Sequence, residues 1–352
     1  MTEVLKRKVD HMSICLKEDV ESKGITAGFE HVHLLHNPMP EIDFEEIDPS
    51  TEIFDVKMAF PLMFDALTGG TSESKIVNQT IAEVAKEKGL GMFLGSVRAA
   101  LEDSSVADTY MIARDKAPDI FLAANIGAPQ LSRGFDIDKL KSFVADIKAT
   151  ALVVHLNPLQ EVVQVNGEPN FKGVYEKIRS LTKEVHIPII VKEVGTGFSK
   201  EVAVKLEFAG VAAINVSGLG GTNWATVESI RSRRMGDKVK AFLGAAFSNW
   251  GVPTVVSLVE CAQILKIPVI ASGGVRSGID IAKALVLGAK YCAMALPVLK
   301  KAQKSNVALS EFADQILLEL KTSMFLTGCR KVSEMRNVRY FVDCPLQCWF
   351  HR

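Results

Sequence analysis

The sequence predicts an α/β fold, a (β/α)8 barrel of the TIM type preceded by an N-terminal extension. Eight short apolar runs recur along the 352-residue chain, each closing on Gly, Asn, Ser or a charged residue. Each is followed by a stretch with helical spacing. Runs that are apolar throughout read as strands covered on both faces, as parallel sheets under helices require. Strand then helix, eight times over, is the pattern of the barrel. An open doubly wound sheet is the alternative.

The runs are Phe60–Leu67, Leu90–Ser96, Ile120–Asn125 and Ala151–Leu156, then Ile187–Lys192, Val211–Ser217, Ile267–Ser272 and Tyr291–Leu296. Between them, Ser74–Lys88 alternates apolar and charged residues at helical spacing. Ser199 can cap the segment KEVAVKLEF, which stops at Gly210. Ser277 precedes GIDIAKALVLG, whose Ile279, Ile281, Ala282, Leu285 and Val286 share one face before Gly288 ends it. The long gap from Ser217 to Ile267 holds an insertion with SGLGGTNW and a helical segment near Thr254–Leu265. Residues 1–59 form a polar, turn-rich extension, residues 60–330 the barrel and residues 331–352 an atypical tail.

Composition excludes several classes. The 41 Lys+Arg balance 41 Asp+Glu, and neither nucleic acid nor an anionic membrane attracts a chain without a basic excess. No apolar run reaches the roughly 18 residues of a membrane span. The start, MTEVLKRKVDHMS, carries charge where a secretory signal needs its apolar region. Six scattered cysteines make no disulfide framework and suit a reducing cytoplasm.

Barrels of this kind do their chemistry at the C-terminal ends of the strands. The residues closing the runs are therefore the ones to weigh: Thr68-Gly69-Gly70, Ser96 and Arg98, Asn125, then His155, Asn157, Gln160 and Glu161. Lys192, Ser217 with Thr222, ASGGVRSG (271–278) and Ala295-Leu296 complete the ring. In ASGGVRSG, glycines let backbone N–H groups approach a phosphate, and the helix beginning near Ser277 adds its positive end. A tight turn is the plainer alternative. Neither GxGxxG nor GxxxxGK[ST] occurs, so other nucleotide-binding folds gain no support. Lys192 is a candidate cofactor contact or a residue at a loop margin. Glu161 among neutral hydrogen-bonding groups suits Mg²⁺, which fills its shell with water and phosphate oxygens; a solvated helix residue is the alternative. Arg7-Lys8-x-Asp10-His11 is a solvated tail unless an anionic substrate draws it over a site. His31-x-His33-x2-His36 lies beside Pro38 and Pro40 without a nearby carboxylate at ligand spacing, and Cys344-x3-Cys348-x2-His351, with Cys329 as a fourth ligand, sits where fraying is expected. Neither is taken as a metal site.

Taken together, RKVDH, ALTGG, SVR, HLNPLQE, VKEVGTG, VSGLGGTNW and NWGVPT…ASGGVRSG…AMALP resemble the type 2 isopentenyl diphosphate isomerases, in order, from about Lys6 to Lys331. The resemblance implies an FMN-dependent barrel that interconverts isopentenyl and dimethylallyl diphosphate with reduced flavin and Mg²⁺. NAD(P)H is the implied flavin reductant, and a homo-oligomer (tetramer or octamer) in the cytoplasm is the implied setting. Carried over residue by residue, Ala66, Leu67, Thr68, Ser96, Asn125, Lys192, Ser217 and Thr222 would surround the flavin. Gly273, Gly274, Ala295 and Leu296 would meet its phosphate. Arg7, Lys8, His11, Ser96, Arg98, His155, Asn157 and Gln160 would bind substrate, and Glu161 would hold Mg²⁺. The last dozen residues depart from the family pattern.

The implied chemistry adds a proton at the terminal carbon of the olefin and removes one from C2. Because an alkene is a very weak base, charge stabilisation and positioning must carry the barrier. The flavin N5 is expected to deliver or receive the proton. Gln160 assists near C2, His155 belongs to the same catalytic set, and Lys192 stabilises the anionic reduced ring. An FMN oxidoreductase of a small hydroxy acid or of dihydroorotate is the nearest competitor. A non-catalytic phosphate-binding barrel is the competitor from another class.

Overall fold

The computed structural model describes residues 2–132 and 136–350. All eight predicted strands are present, seven of them shorter than their apolar runs and the third as long as its run but shifted two residues along the chain. They are β1 (Leu62–Phe64), β2 (Gly91–Phe93), β3 (Leu122–Gly127) and β4 (Ala151–His155), followed by β5 (Ile189–Lys192), β6 (Ala213–Asn215), β7 (Val269–Ala271) and β8 (Tyr291–Met294). Every pairing is parallel, and β8 returns to β1, so the sheet closes as a barrel in sequence order. Closure excludes the open doubly wound sheet.

The short strands explain why the runs are apolar on both faces. Met63, Phe93, Phe121, Val153, Ile190 and Ile270 point inward and fill the barrel. The alternate residues, among them Leu62, Phe64, Leu122, Leu152 and Val191, pack outward under the helices. Both sets are withdrawn from water, as a barrel that is a packed core rather than a pore demands. An antiparallel hairpin, Thr51–Ile53 with Val56–Met58, covers the end where the strands begin. Its Ile53 and Met58 join the inner cluster, so the barrel is shut at that end and open at the other.

Two segments differ from expectation. The N-terminal extension is not merely polar and turn-rich: Glu3–Lys17 is an α-helix, here α1, capped by Thr2. The gap after β6 holds not one helix but three, Trp224–Arg234, Lys238–Ala246 and Thr254–Ala262. The first is capped by Asn223 and packs against α1. Ser199 stands at the start of Lys200–Phe208 without a side-chain cap bond.

The tail is ordered against the extension. Tyr340–Val342 pairs antiparallel with Val32–Leu34, and Leu346 is buried beside Gly28. The expected fraying is therefore not met through residue 350; His351 lies outside the described residues. Pairing also brings a distant carboxylate to His31 and His33. Asp343 binds His31 Nδ1 at 2.7 Å and His33 Nε2 at 3.1 Å.

Candidate active site

The strand-end residues converge on one cavity of about 1520 Å³, its open mouth included. Ala66, Leu67 and Thr68 follow β1, Ser96 and Arg98 follow β2, and Asn125 lies within β3. His155, Asn157, Gln160 and Glu161 follow from β4, Lys192 ends β5, and Ser217 and Thr222 follow β6. Gly273 and Gly274 follow β7, and Ala295 and Leu296 follow β8. All line the same hollow.

Across its mouth lies α1. Val4, Arg7, Lys8, His11, Met12 and Cys15 face the cavity, and the spacing 4-7-8-11-12-15 is one face of an α-helix. Read as a helix, the RKVDH cluster thus aims Arg7, Lys8 and His11 the same way. Ion pairs fasten this helix to Trp224–Arg234. His11 Nε2 meets Glu228 Oε1 at 2.6 Å, Arg231 Nε donates to Asp10 at 3.2 Å, and Arg234 donates to Glu18 at 2.6 Å. Burial alone would push the Glu228 carboxyl up, but His11 and Arg231 outweigh it and hold it below the usual range.

The barrel side of the cavity is polar and buried. Lys192 Nζ donates to the Glu193 carbonyl at 2.9 Å and stands 3.6 Å from Asp65. His155 Nδ1 pairs with Asn125 Oδ1 at 2.7 Å. That oxygen only accepts, so the ring proton sits on Nδ1 and Nε2 remains an acceptor. Burial, with Lys192 and Lys8 adding like charge, depresses the imidazole to about 3. At neutral pH His155 is uncharged. The Cys15 thiol is pushed up to about 12 by burial and serves as apolar lining.

Glu161 is surrounded by donors. It accepts from Asn157 Nδ2 at 2.9 Å and from the Glu168 amide at 2.7 Å. Asn157 Oδ1 beside it is buried without a partner, and a buried unpaired acceptor is costly. A carboxylate next to an orphaned amide oxygen fits a hard, oxygen-seeking cation such as Mg²⁺. No cluster of three or more His, Cys, Asp or Glu residues arranged to hold a metal occurs among the described residues, so such an ion would draw its other ligands from water and substrate. Arg98 is already engaged: its guanidinium reaches Glu168 at 3.1 Å and Glu102 at 2.6 Å.

The end of the cavity after β7 calls for one correction. Gly273 and Gly274 adopt φ of +88° and +77°, conformations that favour glycine. They bring backbone rather than side chain to the cavity wall, where a phosphate could be met. The helix Gly278–Val286 contributes less than expected. The N–H groups at and just before its start are taken by carboxylates: Arg276 and Ser277 donate to Asp280, and Gly278 donates to Glu319. The donor set of Lys192, Thr68, Asn125, Ser217 and glycine amides fits a flavin with its phosphate.

Several cavity residues were not singled out in sequence. Asp65 is a charge inside an apolar run, which is a signal in itself. Trp224 and Gln164, and Glu228, which binds His11 from outside the lining, lie on or beside helices, where nothing in the local pattern distinguishes them. With its amide oriented to satisfy both neighbours, Gln164 accepts from Arg7 and donates to Glu228, each at 2.9 Å. Arg276, within ASGGVRSG, also lines the cavity and binds Glu21 of the extension through Nε at 3.0 Å.

Residues 131–340 match the family described as FMN-dependent dehydrogenase. Curated relatives named isopentenyl-diphosphate delta-isomerase match nearly end to end. The one from Archaeoglobus fulgidus is 45% identical over 345 residues, covering 98% of this chain and 97% of the relative. The one from Methanoregula boonei is 47% identical over 338 residues, covering 96% and 93%. That from Pyrococcus abyssi is 42% identical over 355 residues, covering 99% and 95%. Among solved structures, a mandelate oxidase variant with (S)-mandelic acid superposes with a TM-score of 0.65 at 17% identity, covering 97% of this chain and 98% of the other. A flavocytochrome b2 variant with pyruvate bound gives 0.68 at 16%, covering 93% and 81%. Likeness at that identity is likeness of fold.

Proposed function

This chain belongs to the isopentenyl-diphosphate delta-isomerases, and from that membership we propose that it interconverts isopentenyl and dimethylallyl diphosphate by a 1,3-allylic proton shift, using reduced FMN and Mg²⁺. One observation carries the assignment to this cavity. A helix face bearing Arg7, Lys8 and His11 closes over a ring of strand-end groups suited to a flavin. The cations on one side match a diphosphate, and the space beneath them holds the C5 olefin.

The protein's part is to bind, orient and hold protons. Arg7 and Lys8 neutralise the diphosphate beside His11, and closure of α1 keeps water from a cationic transition state. Arg98 joins them by exchanging a carboxylate partner for phosphate oxygen, a swap between like-charged acceptors. Glu161, with Asn157 Oδ1, holds Mg²⁺ against the same diphosphate. Gln160 donates toward Glu228 Oε1 at 3.4 Å, so an amide near C2 is oriented by a buried carboxylate. His155, being neutral, orients substrate as a hydrogen-bond acceptor. Bound and reduced, FMN supplies an electron-rich ring that stabilises positive character in the olefin and a nitrogen that exchanges its proton. Lys192 places a fixed positive charge beside that ring. NAD(P)H as reductant, a homo-oligomeric assembly and a cytoplasmic setting complete the proposal.

Oxidation of a hydroxy acid, the chemistry of the mandelate oxidase neighbour, needs a base beside the flavin. An imidazole held near 3 is too weak a base for that task. The deciding experiment is incubation with isopentenyl diphosphate, FMN, Mg²⁺ and a reductant, leaving out each in turn. Dimethylallyl diphosphate should form only in the complete mixture. Bleaching of the flavin by a hydroxy acid without isomerisation would overturn the proposal.

A further inference from the structure

The glycines of ALTGG make room for neighbouring side chains. A Cβ at Gly69 would stand 2.1 Å from the ring of Tyr110, so only glycine lets that ring lie where it does. Tyr110 is fully buried on the helix Asp108–Lys116, edge-on to Phe143 with centroids 6.0 Å apart. Its hydroxyl donates to the Ser96 carbonyl at 2.8 Å and accepts from Lys8 Nζ at 2.6 Å. Lys8 also donates to the same carbonyl at 2.8 Å. The three groups form a closed triangle between α1 and the barrel rim. An ammonium has three donors. Two are spent here, and the third is left for a ligand in the cavity that Lys8 lines.

We propose that Tyr110 is a positioning residue for the isomerisation, its hydroxyl fixing the Lys8 ammonium as part of the diphosphate site. The proposal rests on Lys8 being a diphosphate ligand. Tyr110 does not line the cavity, so it acts through Lys8 alone. The surrounding charges make this support necessary. Burial and then the like charge of Arg7 lower the Lys8 ammonium to about 7, opposed only by Glu102 from the segment after β2. From β4, the neutral His155 offers no counter-charge. The phenol oxygen stabilises the charged form through one of two short bonds. Without it the ammonium gives up its proton at lower pH and loses its place.

The test is Tyr110→Phe, which keeps the ring, its edge contact with Phe143 and its fit over Gly69. Wild type and variant are assayed with isopentenyl diphosphate across about pH 5.5–9, alongside FMN binding by fluorescence quenching and inhibition by inorganic pyrophosphate. A hydrogen bond to a charged group predicts that KM and the pyrophosphate inhibition constant rise about tenfold at neutral pH, with kcat changed less than roughly threefold. In wild type, kcat/KM is full below the Lys8 pKa and declines above it. In the variant that decline moves about one pH unit lower. FMN affinity stays unchanged. An active wild type whose variant keeps the same KM and pH profile overturns the proposal, as does a variant that loses FMN affinity in step with KM. A wild type without isomerase activity overturns the functional assignment itself, and the role of Tyr110 with it.

Discussion

Replacing Glu228 with glutamine measures how firmly α1 is held over the site. The Glu228 side chain has no solvent exposure and accepts from His11 at 2.6 Å, with Arg231 3.6 Å away. A hydrogen bond to a charged group contributes about 1.5–3 kcal/mol against about 1 for a neutral pair. Glutamine keeps the shape but loses that difference at His11, and part of the attraction to Arg231 goes with it. Arg231 retains Asp10, which limits the loss to about 2 kcal/mol, below the roughly 3–5 of an uncompensated buried charge. At about 1.4 kcal/mol per factor of ten, local opening of α1 becomes about 30-fold more frequent. Hydrogen exchange read by mass spectrometry should show that loss of protection in residues 5–15, with amides of β4 unchanged. If those residues exchange as in wild type while the Glu228→Gln variant folds normally, the ionic contacts do not hold the helix. Its apolar contacts through Ile14 and Cys15 would then be enough.

Other outcomes follow from the same geometry. Glu161→Gln should raise the Mg²⁺ concentration needed for half-maximal activity about tenfold or more while FMN stays bound; loss of the flavin would contradict the assignment. Arg7→Ala should raise KM for the diphosphate by about tenfold or more, and an unchanged KM would remove Arg7 from that site. By NMR, the His155 ring resonances should hold still from pH 8 down to about 4, because its native pKa lies near 3. The unfolded chain takes up that proton as pH falls through about 6.5. This group's contribution to stability is therefore present above that pH and is lost between there and pH 3; a titration midpoint above 5 would contradict it.

The barrel was legible because a doubly covered strand leaves an unmistakable mark: about four to eight apolar residues closed by a polar one. Runs such as Ala151–Leu156 required no other clue. The ring of strand-end residues followed, since closure forces all eight ends to one rim. What escaped was set by contacts across long stretches of chain. The apolar positions of α1 are interleaved with charges, and its Arg, Lys and His look like a solvated tail until the helix has a surface to cover. Glu228 sits in WATVESIRSRR, indistinguishable from an ordinary surface glutamate until His11 arrives, 217 residues away. Tyr110 and Gly69 reveal each other only in three dimensions. The capping of Gly278–Val286 was half visible, since Ser277 and Asp280 form a capping box by spacing alone, yet Glu319 comes from another helix.

Pairing between the early strand Val32–Leu34 and the late strand Tyr340–Val342 sets a timetable for biosynthesis. His31 and Asp343 are 312 residues apart, so a ribosome adding about 5–20 residues per second makes the second roughly 15–60 s after the first. Throughout that interval Val32 must wait for its neighbour, although it ends up wholly shielded from water. The strand of the extension is thus paired only after every strand of the barrel has been made.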